Sequence, residues 1–218
     1  MTLEHIKTAL LFLALLLFAA GLWLALIGSP PDARQGDAVR IMYVHVPAAW
    51  LSIIAYLLMG LAAALGLIRR RWSVPFDWMD ALAPIGMVFT VLCLVTGMIW
   101  GKPMWGTFWV WDPRLTSMLV LLFLYMGYLA LSRAFDNPER GLRMGAVLVL
   151  IGALDLPVIW YSVQWWSTLH QPFSFKGLGK PAISQEMLAP LWVMLAAYST
   201  FFAHLVLRLV HIKRRKRK

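Results

Sequence analysis

The sequence predicts an all-α integral membrane protein, a single bundle of six transmembrane helices without a soluble domain. Hydrophobic residues make up 61% and charged residues only 14% of the 218-residue chain, and its mean hydropathy is +0.72. A soluble domain carries about 25% charged residues, so this composition excludes an ordinary cytosolic enzyme and a disordered chain. The single cysteine, Cys93, excludes an intramolecular disulfide.

Six apolar runs of roughly the 20 residues that a membrane helix needs predict the spans. They lie near residues 8–27, 47–68, 81–99, 115–132, 143–163 and 187–210, and residues 1–218 form one domain. The first run is longer than the core of a cleaved signal peptide, so we expect a retained membrane anchor. The sequence contains no Walker-type phosphate loop, and we therefore expect any ATP hydrolysis to be carried out by a partner.

The basic residues predict that both termini are cytoplasmic. Fourteen of the 20 Lys and Arg residues fall in the two terminal segments and in the second and fourth connections between spans. Basic residues are enriched on the cytoplasmic side of membrane proteins, so three loops face outward, near 28–46, 100–114 and 164–186. The net charge of +10 indicates contact with anionic lipid of the bilayer rather than with nucleic acid.

Tryptophan is distributed unevenly between the two predicted membrane faces. Ten of the twelve tryptophans fall in the outer loops or toward the outer ends of the spans, and four of them lie between Trp100 and Trp111. An interfacial belt of aromatic residues explains some of these side chains, but a belt is expected on both faces. The asymmetry favours a planar apolar ligand on the outer side.

Two histidines are predicted to reach this same outer surface. His45 precedes Pro47, and because proline suits the first turn of a helix we expect His45 at the outer mouth of the second span. His170 follows Trp165 and Trp166 at the outer end of the fifth span. Haem iron takes axial imidazoles on both faces of the porphyrin, so the pair indicates a haem site. Copper or zinc is less favoured, because this side offers no cysteine and no third histidine.

Charged residues of the outer side have a structural and a functional interpretation. Asp112 followed by Pro113 is typical of a helix start, and a helix cap alone is favoured over a role in orienting Arg114 or a tryptophan N–H. Arg40, Lys102 and Arg114 are the outer cations nearest these motifs and are available to bind the propionates of a haem.

Two polar residues lie within the predicted spans. Asp155 stands two residues before Pro157, which is expected to bend the fifth span. A carboxylate at membrane depth is costly, and pairing with a hydroxyl or a tryptophan is favoured over a proton or ligand path. His204 is expected to form a hydrogen bond with a neighbouring helix.

Three segments resemble a known family. WGTFWVWDPRLTS (Trp105 to Ser117) is similar to the tryptophan-rich WWD signature, WGxxWxWD, of membrane proteins that handle haem in cytochrome c biogenesis. IMYVHVPAAW (Ile41 to Trp50) and SVQWWSTLHQP (Ser162 to Pro172) resemble two further blocks of one branch, the haem exporter protein C family of the System I cytochrome c maturation machinery. The resemblance covers nearly the whole chain, and the length and six spans fit this branch.

The resemblance implies a haem-delivery subunit of the bacterial inner membrane rather than an enzyme. His45 and His170 then correspond to the axial ligands of a haem b that is bound non-covalently and in transit, and the partners are a periplasmic haem chaperone and the ATP-binding cassette and membrane subunits of the maturation complex. The platform of this implied site is the WWD segment, with Trp105, Trp109, Trp111, Asp112 and Arg114.

Two other functions compete with this interpretation. A cytochrome b-type redox subunit is expected to carry histidine pairs inside facing helices, whereas only His204 lies well within a predicted span. A structural or channel subunit is expected to use the tryptophans only as interfacial anchors. An absorption spectrum of the purified protein distinguishes this last possibility from the two haem proteins.

Overall fold

The predicted apolar runs all form helices in the computed structural model, which describes residues 2–68, 74–170 and 183–217. The helices are α1 (Leu3–Trp23), α2 (Met42–Ile68), α3 (Val74–Trp105), α4 (Pro113–Leu131), α5 (Pro138–Gly152), α6 (Asp155–Trp165) and α7 (Gln185–Arg217). A π-helical turn, Leu24–Gly28, extends α1, and a 3-10 turn, Asp37–Ile41, leads into α2. Since α5 and α6 together make one span, the described residues contain six helical segments long and apolar enough to cross a membrane, which confirms the predicted fold class.

The bundle is built around α2 and α3, which pack against each other along their length. Alanines such as Ala48, Ala55 and Ala63 on α2 are fully buried, and such small side chains let membrane helices approach closely. The surrounding helices α4, α5 and α7 contact this central pair, whereas α1 packs mainly on α7 and has the smallest share of buried residues among the six spans.

The fifth span is interrupted between α5 and α6. Pro157 has no backbone N–H, and its ring collides with the carbonyl of the residue four positions earlier, which is Ala153. The helix therefore breaks at residues 153–154, and α6 starts again at Asp155. The sequence places the bend correctly in this span, but the break lies on the N-terminal side of the proline.

Asp155 lies at this break beside the core of the bundle. Its Oδ2 atom is buried and makes no hydrogen bond among the residues that the structure describes, so the expected pairing with a hydroxyl or a tryptophan is not found for this oxygen. Three residues earlier, Gly152 faces the hydroxyl of Tyr56, which is also buried without a partner in the described part of the chain.

The helices extend further at their outer ends than their apolar runs suggest. The second span begins at Asp37, so Pro47 lies inside α2 rather than in its first turn. Helix α3 continues to Trp105, and the second outer loop is therefore 106–112 instead of 100–114. Gly106 ends α3 with a φ of +76°, a conformation that favours glycine. The predicted and observed ends differ because helical hydrogen bonds continue beyond the apolar residues.

Charged residues join several helices at the opposite end of the bundle. Asp80 on α3 forms ion pairs with Arg133, at 3.7 Å, and with Lys213 on α7. Nearby, His204 of α7 donates from Nδ1 to the Lys7 carbonyl of α1 at 2.8 Å, which confirms the expected contact between helices. The basic residues of 69–71 and 218 that contribute to the predicted cytoplasmic side lie outside the described residues.

Candidate functional site

The ring of His45 is held between the two central helices. It lies in the first turns of α2, and its Nδ1 is 3.0 Å from the Cys93 carbonyl and 3.1 Å from Thr96 Oγ1, both on α3. Because a carbonyl oxygen can only accept a hydrogen bond, the proton of the neutral ring belongs on Nδ1. The lone pair then resides on Nε2, which makes no hydrogen bond among the described residues.

Space for this ring comes from a glycine on the facing helix. A Cβ atom at Gly97 would lie 3.0 Å from His45 Cε1, closer than ordinary van der Waals contact. One turn further along α3, the indole of Trp100 meets the imidazole edge to face at 5.6 Å between ring centroids. Trp100 is itself fixed by donating from Nε1 to Gln35 Oε1 at 2.8 Å.

The second histidine has a different kind of acceptor. His170 follows the end of α6, and its Nδ1 lies 3.0 Å from Asp112 Oδ1. A carboxylate only accepts, so the proton again belongs on Nδ1 and Nε2 keeps its lone pair. The ring of His170 packs edge to face on Trp105, the last residue of α3, at 5.1 Å.

Asp112 does more than begin a helix. It caps α4 by accepting from the Arg114 backbone N–H at 2.9 Å, as the sequence predicts. It also accepts from the Thr168 hydroxyl and, at 3.1 Å, from the Leu169 N–H. With His170 this makes one carboxylate the acceptor for three consecutive residues, so the preference for a cap alone was wrong.

The pKa values of this pair follow from burial and hydrogen bonding. Burial raises the pKa of Asp112, but the hydrogen bond from Thr168, the charge of His170 and two backbone N–H groups outweigh it, and the pKa is lowered overall. Burial lowers the pKa of His170, and the nearby charge of Arg114 lowers it further against the opposing effect of Asp112. At neutral pH the carboxylate is therefore charged and the imidazole neutral.

The two imidazoles lie on one side of the molecule, at the outer end of α3. The His45 ring packs on Trp100 and the His170 ring on Trp105, and both tryptophans lie in the last turns of α3. Arg114 lies beside the second ring, because its backbone N–H donates to the same Asp112 carboxylate. Arg114 also donates from Nη2 to the Trp160 carbonyl at 3.3 Å. The structure therefore brings together both predicted histidines and one of the three predicted outer cations.

The other two cations are engaged locally. Lys102 donates to the Gly106 carbonyl at 2.9 Å and lies over the Phe108 ring, where it closes the C-terminal end of α3. Arg40 pairs with Asp37 at 3.3 Å. Two further basic residues of the outer side, at 176 and 180, lie outside the described residues.

Tryptophans of the WWD segment cover the outer surface beside the histidines. Trp109 and Trp111 meet edge to face at 5.5 Å, and Trp111 is 77% exposed. The indole N–H of Trp109 is buried and has no partner in the described part of the chain. Trp165 and Trp166, at the end of α6, are about half exposed, at 55% and 49%. Much aromatic surface is thus left facing outward.

The available histidines suit a haem iron, which already has four nitrogen ligands from its porphyrin. Among the described residues, no group of three or more His, Cys, Asp or Glu side chains is placed to hold a bare metal ion. A porphyrin iron needs only two axial ligands from the protein. His45 and His170 each offer one Nε2 lone pair, so they could supply that number of ligands.

Sequence reasoning found both histidines and the tryptophans but missed three supporting residues. Thr96 and Gly97 shape the setting of His45, and Thr168 joins His170 to Asp112. Thr168 lies two residues before His170 in the SVQWWSTLHQP segment, so its position in the sequence was the one available indication of its role. Thr96 and Gly97 carry no such signal, because their role depends on how α3 packs on α2.

Sequence comparison with known proteins identifies the family of this chain. The profile of the family described as Heme exporter protein C matches residues 1–218. The chain belongs to the Heme exporter protein C family. It is therefore a multi-pass inner-membrane protein, as its six apolar helices also indicate.

Curated relatives carry the same name. Heme exporter protein C of Bradyrhizobium diazoefficiens is 46% identical over 190 residues, which cover 87% of this chain and 72% of the relative. Heme exporter protein C of Haemophilus influenzae is 46% identical over 196 residues, 90% of this chain and 79% of the relative. Heme exporter protein C of Escherichia coli is 54% identical over 143 residues, 66% of this chain and 58% of the relative.

Proposed function

We propose that this protein binds haem at the periplasmic face of the inner membrane and delivers it to a periplasmic haem chaperone for cytochrome c maturation. One observation supports the proposal: the His45 and His170 rings pack on tryptophans at the same end of α3, and each ring has its Nδ1 engaged by a hydrogen-bond acceptor. Family membership supports the same role, since the relatives are named as haem exporters.

The hydrogen bonds on Nδ1 are the pattern expected of metal-binding histidines. Such histidines usually donate their second ring N–H to a carboxylate or a backbone carbonyl, which fixes the tautomer and the orientation of the ring. His170 uses the carboxylate of Asp112, and His45 uses the carbonyl of Cys93. In both cases Nε2 is the nitrogen left for an iron.

Side chains around the histidines have the chemistry that a porphyrin requires. Trp105, Trp109 and Trp111 offer apolar aromatic surface for the ring. Arg114 offers a cation for a propionate, and its backbone N–H shares the Asp112 carboxylate with the His170 ring. Cys93, the single cysteine, is buried within α3, so we expect non-covalently bound haem b.

Two protein ligands on one iron suit transport rather than catalysis. With both axial positions filled, the iron offers no open site to oxygen or peroxide. We therefore propose that the haem is cargo and that the chain is a transfer subunit rather than an enzyme. Energy for the cycle comes, in this proposal, from the ATP-binding cassette and membrane subunits of the maturation complex.

Haem analysis of the purified protein tests the function. We expect the wild type in detergent to retain haem with the absorption spectrum of a bis-histidine complex. His45→Ala and His170→Ala each lose that spectrum, and the double variant loses the haem, whereas the exposed His5→Ala leaves both unchanged. A wild-type protein without a Soret band contradicts the proposal and favours a structural or channel subunit.

A further inference from the structure

We infer that the two histidines are unequal partners, with His45 as the fixed ligand and His170 as the ligand that leaves, and that Thr168 together with Asp112 is the latch that holds it. This inference rests on the proposed haem site and adds a direction to the transfer. It assigns to Thr168 the role of a positioning residue.

His45 is fixed because both the residue and its hydrogen-bond acceptors belong to regular helices. The residue belongs to α2, and both of its hydrogen-bond acceptors belong to α3. Its neighbours Tyr43, Ala48 and Cys93 are buried in the core that these helices share. Withdrawing the ring from an iron therefore requires the two central helices to separate.

His170 stands beyond the last helical hydrogen bond of α6, which runs from the Trp166 N–H to the Ser162 carbonyl at 3.1 Å. Helix α6 ends at Trp165, and residues 166–170 lead away from it. The apolar side chains of Trp166 and Leu169 leave about half of their surface exposed, at 49% and 55%. Segments with few buried apolar contacts open locally at a low free-energy cost.

Among the described residues, the side chain of Asp112 supplies most of the hydrogen bonds that hold this segment. Asp112 accepts from the Thr168 hydroxyl, the Leu169 N–H and the His170 ring. The Thr168 hydroxyl oxygen also accepts from the His170 backbone N–H at 3.0 Å. Thr168 is thus the link between the carboxylate and the backbone that carries the leaving ligand.

Transfer under this inference is a simple ligand exchange. The bond between iron and His170 Nε2 breaks, and a bond between iron and an imidazole nitrogen of the recipient forms. The iron keeps its oxidation state, and the proton on His170 Nδ1 stays in its hydrogen bond with Asp112. His45 keeps the haem in place while the exchange occurs.

Cyanide binding to the ferric haem protein measures how fast a histidine leaves. At saturating cyanide the observed rate reaches a plateau set by dissociation of the histidine. Thr168→Val removes two hydrogen bonds from the latch but leaves Asp112 and both histidines, and we expect it to raise the plateau rate about tenfold. Haem occupancy at equilibrium stays near that of the wild type.

Two matched variants identify which histidine is leaving. Thr96→Val removes a hydroxyl from the setting of His45 but leaves the Cys93 carbonyl, and we expect a much smaller change in the plateau rate. Thr200→Val makes the same chemical change on α7, where, among the described residues, the hydroxyl bonds only to the Ala196 carbonyl of its own helix. Its plateau rate should equal that of the wild type.

A second measurement needs no haem. Amide hydrogen exchange of Leu169 and His170 in the haem-free protein should be faster in Thr168→Val than in the wild type. Unchanged exchange at these amides, or a plateau rate that rises as much in Thr96→Val as in Thr168→Val, overturns the inference. Absence of haem from the wild type instead overturns the proposed function, so the two failures are distinguishable.

Discussion

At the scale of single residues, the candidate site depends on a glycine, because its lack of a side chain leaves space for a proposed ligand. Gly97 leaves room for the His45 ring, and a methyl group there would press on Cε1. Interior packing leaves few gaps larger than a water molecule, so the ring has little freedom to move aside. The orientation of one proposed ligand is therefore set by a residue that cannot bind anything itself.

Gly97→Ala should weaken haem binding by about tenfold, as changes around a metal ligand typically do. The added Cβ would lie 3.0 Å from His45 Cε1 and would turn the ring away from its acceptors. Gly60→Ala on α2 is the matched control, because a Cβ there meets nothing within 4 Å. Haem titration of both variants checks this, and equal affinities would contradict the proposed setting of His45.

At the scale of helices, the break in the fifth span is a packing feature as well as an effect of proline. Gly152 ends α5, and its bare Cα faces the hydroxyl of Tyr56 on α2. The Tyr56 ring in turn packs edge to face on Tyr125 of α4 at 5.1 Å. Three spans thus meet where the helix is interrupted.

Gly152→Ala should destabilise the bundle by about 1–3 kcal/mol, the usual cost of inserting atoms into a packed core. The new Cβ would overlap the Tyr56 hydroxyl and lie 2.9 Å from Leu124. Adding Tyr56→Phe removes the overlapping oxygen, so the double variant should recover part of the loss. Thermal unfolding in detergent measures both, and additive effects would show that the two residues do not interact.

At the scale of the whole molecule, the outer and inner ends differ in chemistry. Tryptophans and the two ligand candidates gather at one end, and the Asp80 ion pairs with Arg133 and Lys213 gather at the other. The excess of basic residues at the second end predicts that it faces the cytoplasm. The same rule predicts that both termini lie inside and that the proposed haem site faces the periplasm.

Cysteine labelling in whole cells tests this orientation. Arg34→Cys places a thiol in the first outer loop, and Asp136→Cys places one between α4 and α5; both positions are exposed. A membrane-impermeant maleimide should label the first in intact cells and the second only after permeabilisation. Because native Cys93 is buried, the unmodified protein serves as the unlabelled control. The reverse labelling pattern would invert the topology.

Prediction from the sequence succeeded where a pattern repeats along the chain and failed where two helices meet. Apolar runs identify all six spans. Motifs single out His45 and His170, whose role as ligands stays a prediction. The ends of α2 and α3 were misplaced, because helical hydrogen bonds continue past the apolar residues. The links from Asp112 to residues 168–170 join segments more than fifty positions apart, which no local pattern reveals.

The two imidazoles also differ in how vulnerable their acceptors are to mutation. Cys93 offers its main-chain oxygen to His45, and every amino acid that replaced it would bring an identical oxygen. Asp112 offers a side-chain oxygen to His170, and one codon change deletes it. A point mutation can therefore remove the carboxylate that supports His170, whereas no substitution at position 93 removes the carbonyl that supports His45.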